Sequence, residues 1–167
     1  MRLETGVQGL TLRPLGVDDL SRYAGLVSRN RDHLTKHGDY EEVARASEQE
    51  LEHELREPSA GRFGVWLDEE LIGRVDLIPR DGTNAVLGYW LDQDRTGSGF
   101  ATAACRTLLS YAANDMHVTD VWAGVTHGND RSVALLGRLG FEAVRDMGVY
   151  TRFHRVLDME RPGSADQ

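Results

Sequence analysis

The sequence is poor in cysteine and in long apolar runs, and each shortage excludes a class of protein. Cys105 is the one cysteine among 167 residues, which excludes an intramolecular disulfide and a zinc site built from cysteines. No apolar run approaches the roughly 18 residues that a membrane-spanning helix needs. The first ten residues include Glu4 and Gly6 and lack the apolar stretch of a signal peptide. We therefore expect a cytoplasmic protein.

Positive charge is also scarce. The chain has 19 Lys and Arg residues against 27 Asp and Glu residues, a formal net charge of −8 with neutral histidines. The basic residues are scattered singly, whereas binding to a phosphate backbone draws on clustered Lys and Arg, so no nucleic-acid partner is expected. With 40% hydrophobic residues the composition is that of a folded domain. We predict a single domain over residues 1–167, with flexible ends at about 1–8 and 161–167.

The apolar pattern predicts a mixed α/β chain. Period-two alternation and short connections predict strands, most of them antiparallel neighbours, at residues 10–15, 63–67, 71–79, 85–91, 120–126, 141–144 and 149–157. Helical spacing of apolar residues predicts helices at residues 17–30, 32–36, 41–57, 97–114 and 129–139. Pro58 is expected to end the third helix, and Gly140 the last one.

A glycine-rich turn lies where the strand at 85–91 leads into the helix at 97–114. Gly97 and Gly99 let the backbone approach a ligand closely, and the free amides of a first helical turn favour a phosphate. Residues 95–102 contain no lysine, which excludes a P-loop. The Gly-x-Gly-x-x-Gly fingerprint of dinucleotide-binding proteins is not matched, because Thr102 stands where the third glycine is required. The sheet before the turn is also predicted to be antiparallel, whereas that fingerprint belongs to a parallel sheet. Taken alone, the turn could equally be a structural feature.

Three segments together resemble the GNAT superfamily of acyl-CoA-dependent N-acetyltransferases, with the RimJ/RimL-type branch as the nearest. They are residues 95–102 (RTGSGFAT), 127–132 (HGNDRS) and 136–142 (LGRLGFE). The resemblance implies an α/β (α+β) fold of the GNAT type, with a twisted, mixed, mostly antiparallel sheet flanked by helices. A parallel splay is expected between the strands that end near Leu91 and Thr126. The resemblance also implies acetyl-CoA as cosubstrate, no metal, and direct transfer of the acetyl group to a primary amine in a ternary complex.

The resemblance assigns coenzyme-binding roles to residues on both sides of that splay. The pyrophosphate is expected on the backbone of Thr96, Gly97, Ser98, Gly99, Phe100, Ala101 and Thr102. Relatives usually carry Gln or Arg where this chain has Thr96. The backbone amides that would bind the pyrophosphate are therefore retained, but Thr96 offers no positively charged side chain to it. An amide near Leu91, next to Trp90, would hold the thioester carbonyl as an oxyanion hole.

Asn129 and Ser132 match family positions that contact the pantetheine arm near the thiol. Asn129 could equally serve as a helix N-cap. Ser132 either protonates the departing thiolate, which makes it a candidate catalytic residue, or bonds within its own helical turn.

The residue that deprotonates the amine is left open by the sequence. An alkylammonium with a pKa near roughly 10 must lose a proton before it can attack. Relatives often carry Glu just before the Gly-Tyr-Trp-Leu segment, where this chain has Val86 or Leu87. Asp76 and His127 are candidate bases. Arg74 shares a strand face with Asp76, so the alternative for that pair is a structural ion pair.

Candidate acceptor-binding residues come from several segments. His37, Asp39 and Tyr40 lie at the break after the second helix, where relatives form the acceptor rim, although a surface loop is the alternative. The rest of the set is Arg74, Asp76, Tyr89 and His154. The expected partners are a small-molecule or peptide amine and a second copy of the chain in a homodimer, with no nucleic acid and no membrane. The alternative function is a non-catalytic acyl-CoA-binding or regulatory module.

Overall fold

The computed structural model describes residues 1–158 and contains one eight-stranded sheet. Its strands are β1 (Leu3–Glu4), β2 (Leu10–Pro14), β3 (Arg62–Leu67), β4 (Glu70–Pro79), β5 (Asn84–Leu91), β6 (Asp120–Thr126), β7 (Glu142–Asp146) and β8 (Tyr150–Val156). Their order across the sheet is β1-β2-β3-β4-β5-β6-β8-β7. Every neighbouring pair is antiparallel except β5 and β6, which run parallel. The predicted mixed, mostly antiparallel sheet is confirmed.

Helices cover both faces of the sheet. They are α1 (Leu20–Arg29), α2 (Arg31–Thr35), α3 (Glu41–Arg45), α4 (Glu48–Arg56), α5 (Phe100–Asp115) and α6 (Asp130–Arg138), with 3-10 turns at Val17–Asp19 and Gln93–Arg95. Side chains alternate along β5, so Leu87 and Leu91 pack with α5 while Trp90 packs with the helices before β3. No helix in the described part of the chain is long and apolar enough to cross a membrane.

The predicted helix over 41–57 is wrong, because the chain breaks it into α3 and α4. Ala46 is extended, with ψ 136, and Ser47 caps α4. The Ser47 hydroxyl accepts the Glu50 N–H at 3.1 Å, and the Glu50 carboxylate accepts the Ser47 N–H at 2.8 Å. This capping box starts a new helix.

The chain ends also differ from a simple pair of flexible tails. Residues 3 and 4 pair with Leu12 and Thr11 as strand β1, within the start that was predicted to be flexible. The predicted flexible end, residues 161–167, lies outside the described residues.

The parallel pair β5 and β6 separates after a short contact. Its register covers Asn84–Asp120, Ala85–Val121 and Val86–Trp122 and goes no further. Beyond Val86, β5 continues along β4 as far as the Gly73–Leu91 pair, while β6 continues along β8. The two halves of the sheet therefore open into a V, which confirms the predicted splay between the strands that end near Leu91 and Thr126.

Candidate active site

The open edge of β5 forms one wall of the V. The Asp92 N–H donates to the Ile72 carbonyl at 2.7 Å, so alternate residues of β5 bond to β4. Tyr89 and Leu91 consequently direct their own N–H and C=O groups into the splay. The Tyr40 hydroxyl replaces the missing strand at Tyr89, where it donates to the carbonyl and accepts the N–H at 3.2 Å. The peptide of Leu91 is left facing the cleft.

Removing that hydroxyl is expected to weaken this wall. In Tyr40→Phe the Tyr89 peptide loses both partners at a part-buried site, so we expect a loss of about 1–3 kcal/mol in the free energy of unfolding, measured by urea denaturation. Tyr150→Phe is the matched control, since its hydroxyl forms no hydrogen bond within residues 1–158. Equal losses in the two variants would contradict the role given to Tyr40.

A cleft of about 1170 Å³ occupies the mouth of the V. The wall from β5 and the glycine turn contributes Tyr89, Trp90, Leu91, Thr96, Gly97, Ser98, Gly99, Phe100, Ala101 and Thr102. The opposite wall is the start of α6, and the α2–α3 loop closes one end. The structure therefore brings the whole set of predicted coenzyme residues to one cavity, together with His37, Asp39 and Tyr40.

The glycine turn presents free amides to this cleft. Gly97 and Gly99 have φ of +84 and +79, and a Cβ built on either would meet no atom within 4 Å. The first amide of α5 with a protein acceptor is that of Ala103, which donates to the Gly99 carbonyl at 3.1 Å. The amides of residues 97–102 find no acceptor within the described chain. Residues 97–99, predicted as the start of the helix, instead form the turn that precedes it.

Arginines from α5 and α6 add positive charge to the cleft. Arg106, Arg131 and Arg138 line it, and Arg138 donates to the Thr102 hydroxyl at 3.2 Å. Arg95 instead pairs with Glu70 at 2.5 Å, away from the cleft. Free amides, open space at two glycines and nearby guanidinium groups fit a diphosphate.

Sequence reasoning missed these arginines. Arg138 lies within residues 136–142, but no local sequence pattern indicates that it faces the glycine turn.

Hydrogen bonds connect the start of α6 to the α2–α3 loop. The Asn129 side chain accepts the Ser132 N–H at 3.3 Å as an N-cap and donates to the Asp39 carboxylate at 3.4 Å. The Thr126 hydroxyl donates to the other oxygen of Asp39. Asn129 thus caps the helix and lines the cleft at once.

Tyr89 and Ser132 meet between the two walls. Burial raises the pKa of Tyr89 to about 12, and the adjacent Ser132 side chain counteracts part of that rise. The Tyr89 hydroxyl has no partner with full hydrogen-bond geometry within residues 1–158. It therefore remains a protonated, unused donor beside Ser132.

Arg74 and Asp76 lie away from the cleft, in an ion-pair network under α1 and α4. Arg74 binds both oxygens of Asp76, at 2.7 and 3.0 Å, and also donates to Tyr23 at 2.7 Å and to Glu54 at 2.6 Å. Burial raises the pKa of Asp76, and the neighbouring Arg74 opposes the rise. Neither residue lines the cleft, so the structure supports the ion-pair alternative over contact with a substrate there.

The two predicted histidines at the sheet's other half are also engaged elsewhere. His127 Nε2 lies 3.2 Å from an Asp146 carboxylate oxygen, and His154 Nε2 lies 2.8 Å from one of Asp120. The His154 ring also packs against Trp122, with centroids 4.2 Å apart and the ring planes tilted by 36°. Neither histidine lines the cleft. Among residues 1–158, no group of three or more His, Cys, Asp or Glu side chains could hold a metal.

Comparisons with known proteins agree with this geometry. Residues 9–142 match the sequence model of the family described as "Acetyltransferase (GNAT) domain". The chain is 33% identical over 142 residues to the probable N-acetyltransferase YjcK of Bacillus subtilis, covering 78% of each chain. It is 29% identical over 141 residues to the putative ribosomal N-acetyltransferase YdaF of Bacillus subtilis, covering 79% of this chain and 77% of that one.

Solved structures show the same fold. RimL, a ribosomal L7/L12 alpha-N-protein acetyltransferase in complex with coenzyme A, superimposes with a TM-score of 0.84 at 18% identity, over 96% of this chain and 100% of that one. Mycobacterium smegmatis RimJ in complex with a CoA disulfide superimposes with a TM-score of 0.71 at 19% identity, over 93% and 86% of the two chains.

Proposed function

Because this chain belongs to the GNAT acetyltransferase family, we propose that it transfers the acetyl group of acetyl-CoA directly to a primary amine, in a ternary complex. The acceptor is the amino terminus of a protein or a small amine. The names of the relatives, several of them ribosomal-protein N-acetyltransferases, support an amino-terminal acceptor. We propose that the whole chain is one such domain and acts in the cytoplasm, where the buried free thiol of Cys105 would stay reduced.

The observation that carries this proposal is the run of unpaired amides at residues 97–102, at the mouth of the splay. Six successive N–H groups at a helix N-terminus suit the diphosphate of the coenzyme, and the helix dipole adds to their attraction for an anion. Arg138, which is bonded to the Thr102 hydroxyl, would supply the positive charge that the Thr96 side chain does not.

The remaining cleft residues then take roles in the reaction. The Leu91 N–H would hold the thioester carbonyl, since the splay leaves this peptide edge facing the cleft. Such a donor typically contributes about 3 kcal/mol to the transition state. Ser132, with the protonated Tyr89 hydroxyl beside it, would return a proton to the departing thiolate. The thioester itself supplies an activated acetyl group.

Direct transfer is supported by the burial of the cysteine thiol, which rules out a cysteine-bound acetyl intermediate. Cys105 is fully buried in the core on the α5 side, and burial raises the pKa of its thiol well above the ordinary range. A protonated, enclosed thiol cannot attack a thioester in the cleft. This supports attack by the amine on the acetyl group itself.

An assay of thiol release tests the proposal. Acetyl-CoA is mixed with the protein and a panel of amines that contains peptides beginning with serine or alanine, spermidine and free amino acids. We expect release of CoA that depends on both protein and amine, together with the acetylated amine in the mass spectrum. Tight binding of acetyl-CoA with no amine-dependent release across the panel would favour the acyl-CoA-binding module instead.

A further inference from the structure

His33 lies on α2, where the cleft meets the open edge of β5. Its imidazole and Leu91 both line the cleft, and the ring lies near the Leu91 backbone carbonyl. The N–H and C=O of one extended residue point to the same edge of a strand. His33 therefore stands beside the amide to which the proposed function assigns the thioester carbonyl.

The surroundings of His33 keep its ring neutral. Burial lowers the pKa of His33 below its ordinary value, and Arg131 on α6 and Lys36 at the end of α2 lower it further. The Leu91 carbonyl and the Asp92 carboxylate, both at the end of β5, act in the opposite direction without cancelling the shift. At neutral pH the ring therefore carries a free lone pair on one nitrogen.

The other proton acceptors lining the cleft are less suited to take a proton from an amine. Asp39 accepts hydrogen bonds on both oxygens, from Thr126 and Asn129. Asp130 lies in the first turn of α6, on the wall of the cleft opposite β5 and the Leu91 peptide. His37 follows the last turn of α2, and no hydrogen bond or ion pair within residues 1–158 holds its ring in one position.

We propose that His33 is the general base of the acetyl transfer, an assignment that rests on the proposed function. With one ring N–H directed at the Leu91 carbonyl, the second nitrogen takes a proton from the acceptor ammonium and releases it to solvent. The amine lone pair then forms the N–C bond to the acetyl carbon, and the C–S bond breaks with its electron pair on sulfur. The second amine proton ends on that sulfur, so the products are the acetylated amine and CoA thiol.

His33→Gln is the test, because glutamine can still donate to the Leu91 carbonyl but cannot accept a proton at neutral pH. We expect kcat with the best acceptor of the panel to fall by about 100-fold or more. Affinity for CoA, measured by calorimetry, should change by less than about two-fold, since this variant leaves residues 97–102 untouched. His53→Gln on the exposed face of α4 is the matched control and should retain full activity.

The pH profile separates a base from a structural residue. In the wild type, kcat at saturating substrates should rise with pH through a pKa below about 6.5 and then level off, because the charged ring cannot accept a proton. This rise of kcat at acidic pH, the acid limb of the profile, should vanish in His33→Gln. NMR titration of the His33 ring in the wild type without ligands should give a pKa below about 6.5.

Three outcomes would overturn the assignment. One is a His33→Gln enzyme with at least a third of wild-type kcat and an unchanged acid limb, and another is a ring pKa at or above the ordinary value; either would leave the proposed function standing. A wild-type protein that acetylates no amine of the panel would overturn the proposed function and this assignment with it.

Discussion

Gly99→Val is expected to lower the affinity for acetyl-CoA by about 100-fold or more, equivalent to about 2.7 kcal/mol. Gly99 caps α5 with φ +79, and the space in front of its missing Cβ is empty of protein atoms. In the proposed complex that space holds the diphosphate, so a branched side chain would exclude the ligand and tilt the neighbouring amides. Hydrogen bonds to charged groups contribute about 1.5–3 kcal/mol each, and losing one or two produces this effect. Calorimetric titration with CoA measures it.

Backbone strain must be separated from loss of the ligand. Gly82, in the turn between β4 and β5, has φ +63 and likewise an empty space at its Cβ, but it lies outside the cleft. Gly82→Val therefore has comparable strain, and both variants should melt at a lower temperature than the wild type. Affinity for CoA should fall in Gly99→Val alone. An equal loss of CoA affinity in both variants, or no loss in either, would contradict the diphosphate site proposed at residues 97–102.

Arg74→Met should lower the free energy of unfolding by about 3–5 kcal/mol, because it leaves the largely buried Asp76 carboxylate without its partner. Arg74 is 8% exposed and joins Asp76, Glu54 and the Tyr23 hydroxyl in one network. The methionine matches its length but donates no hydrogen bond. Urea denaturation at neutral pH measures the loss.

The pH dependence of that loss identifies its cause. Burial raises the pKa of Asp76 even beside Arg74, so the folded state of the variant should hold a proton more tightly than the unfolded state does. A group with a raised pKa is most favourable to the fold below its unfolded pKa, and its contribution is lost as the pH rises. The destabilisation should therefore shrink as the pH falls toward about 4.

A surface ion pair provides the comparison. Arg56 bonds to Glu52 at 2.7 Å across one exposed turn of α4, so Arg56→Ala should lose less than about 1 kcal/mol. The double variant Arg74→Met with Asp76→Leu should recover much of the stability, since it removes the unpaired charge. A loss below about 1 kcal/mol in Arg74→Met would show that the network is not structural.

Local patterns were sufficient for most of the fold. The period-two runs predicted strands β3 to β5 to within a residue or two, since alternation depends only on which face of the sheet is buried. The Gly140 stop is confirmed by its φ of +82, a conformation that glycine adopts without steric cost. The break at Ser47 was missed although its capping box is visible in the sequence, because the acidic run on both sides continues a helical pattern.

The site was predictable only where it is local. The glycine turn and the capped start of α6 are continuous segments, and the structure brings both to the cleft. Alternation along β4 placed Arg74 and Asp76 together, but it could not show that α1 and α4 cover that face. The sequence does not indicate a role for His33 as a base, because its position near Leu91 depends on a long-range contact between α2 and the end of β5.

A crystal structure with acetyl-CoA bound tests the central claim most directly. We predict diphosphate oxygens within about 3.2 Å of the amide nitrogens of residues 97–102, and the thioester carbonyl on the Leu91 N–H. A diphosphate bound elsewhere, with those amides bonded to protein, would contradict the account.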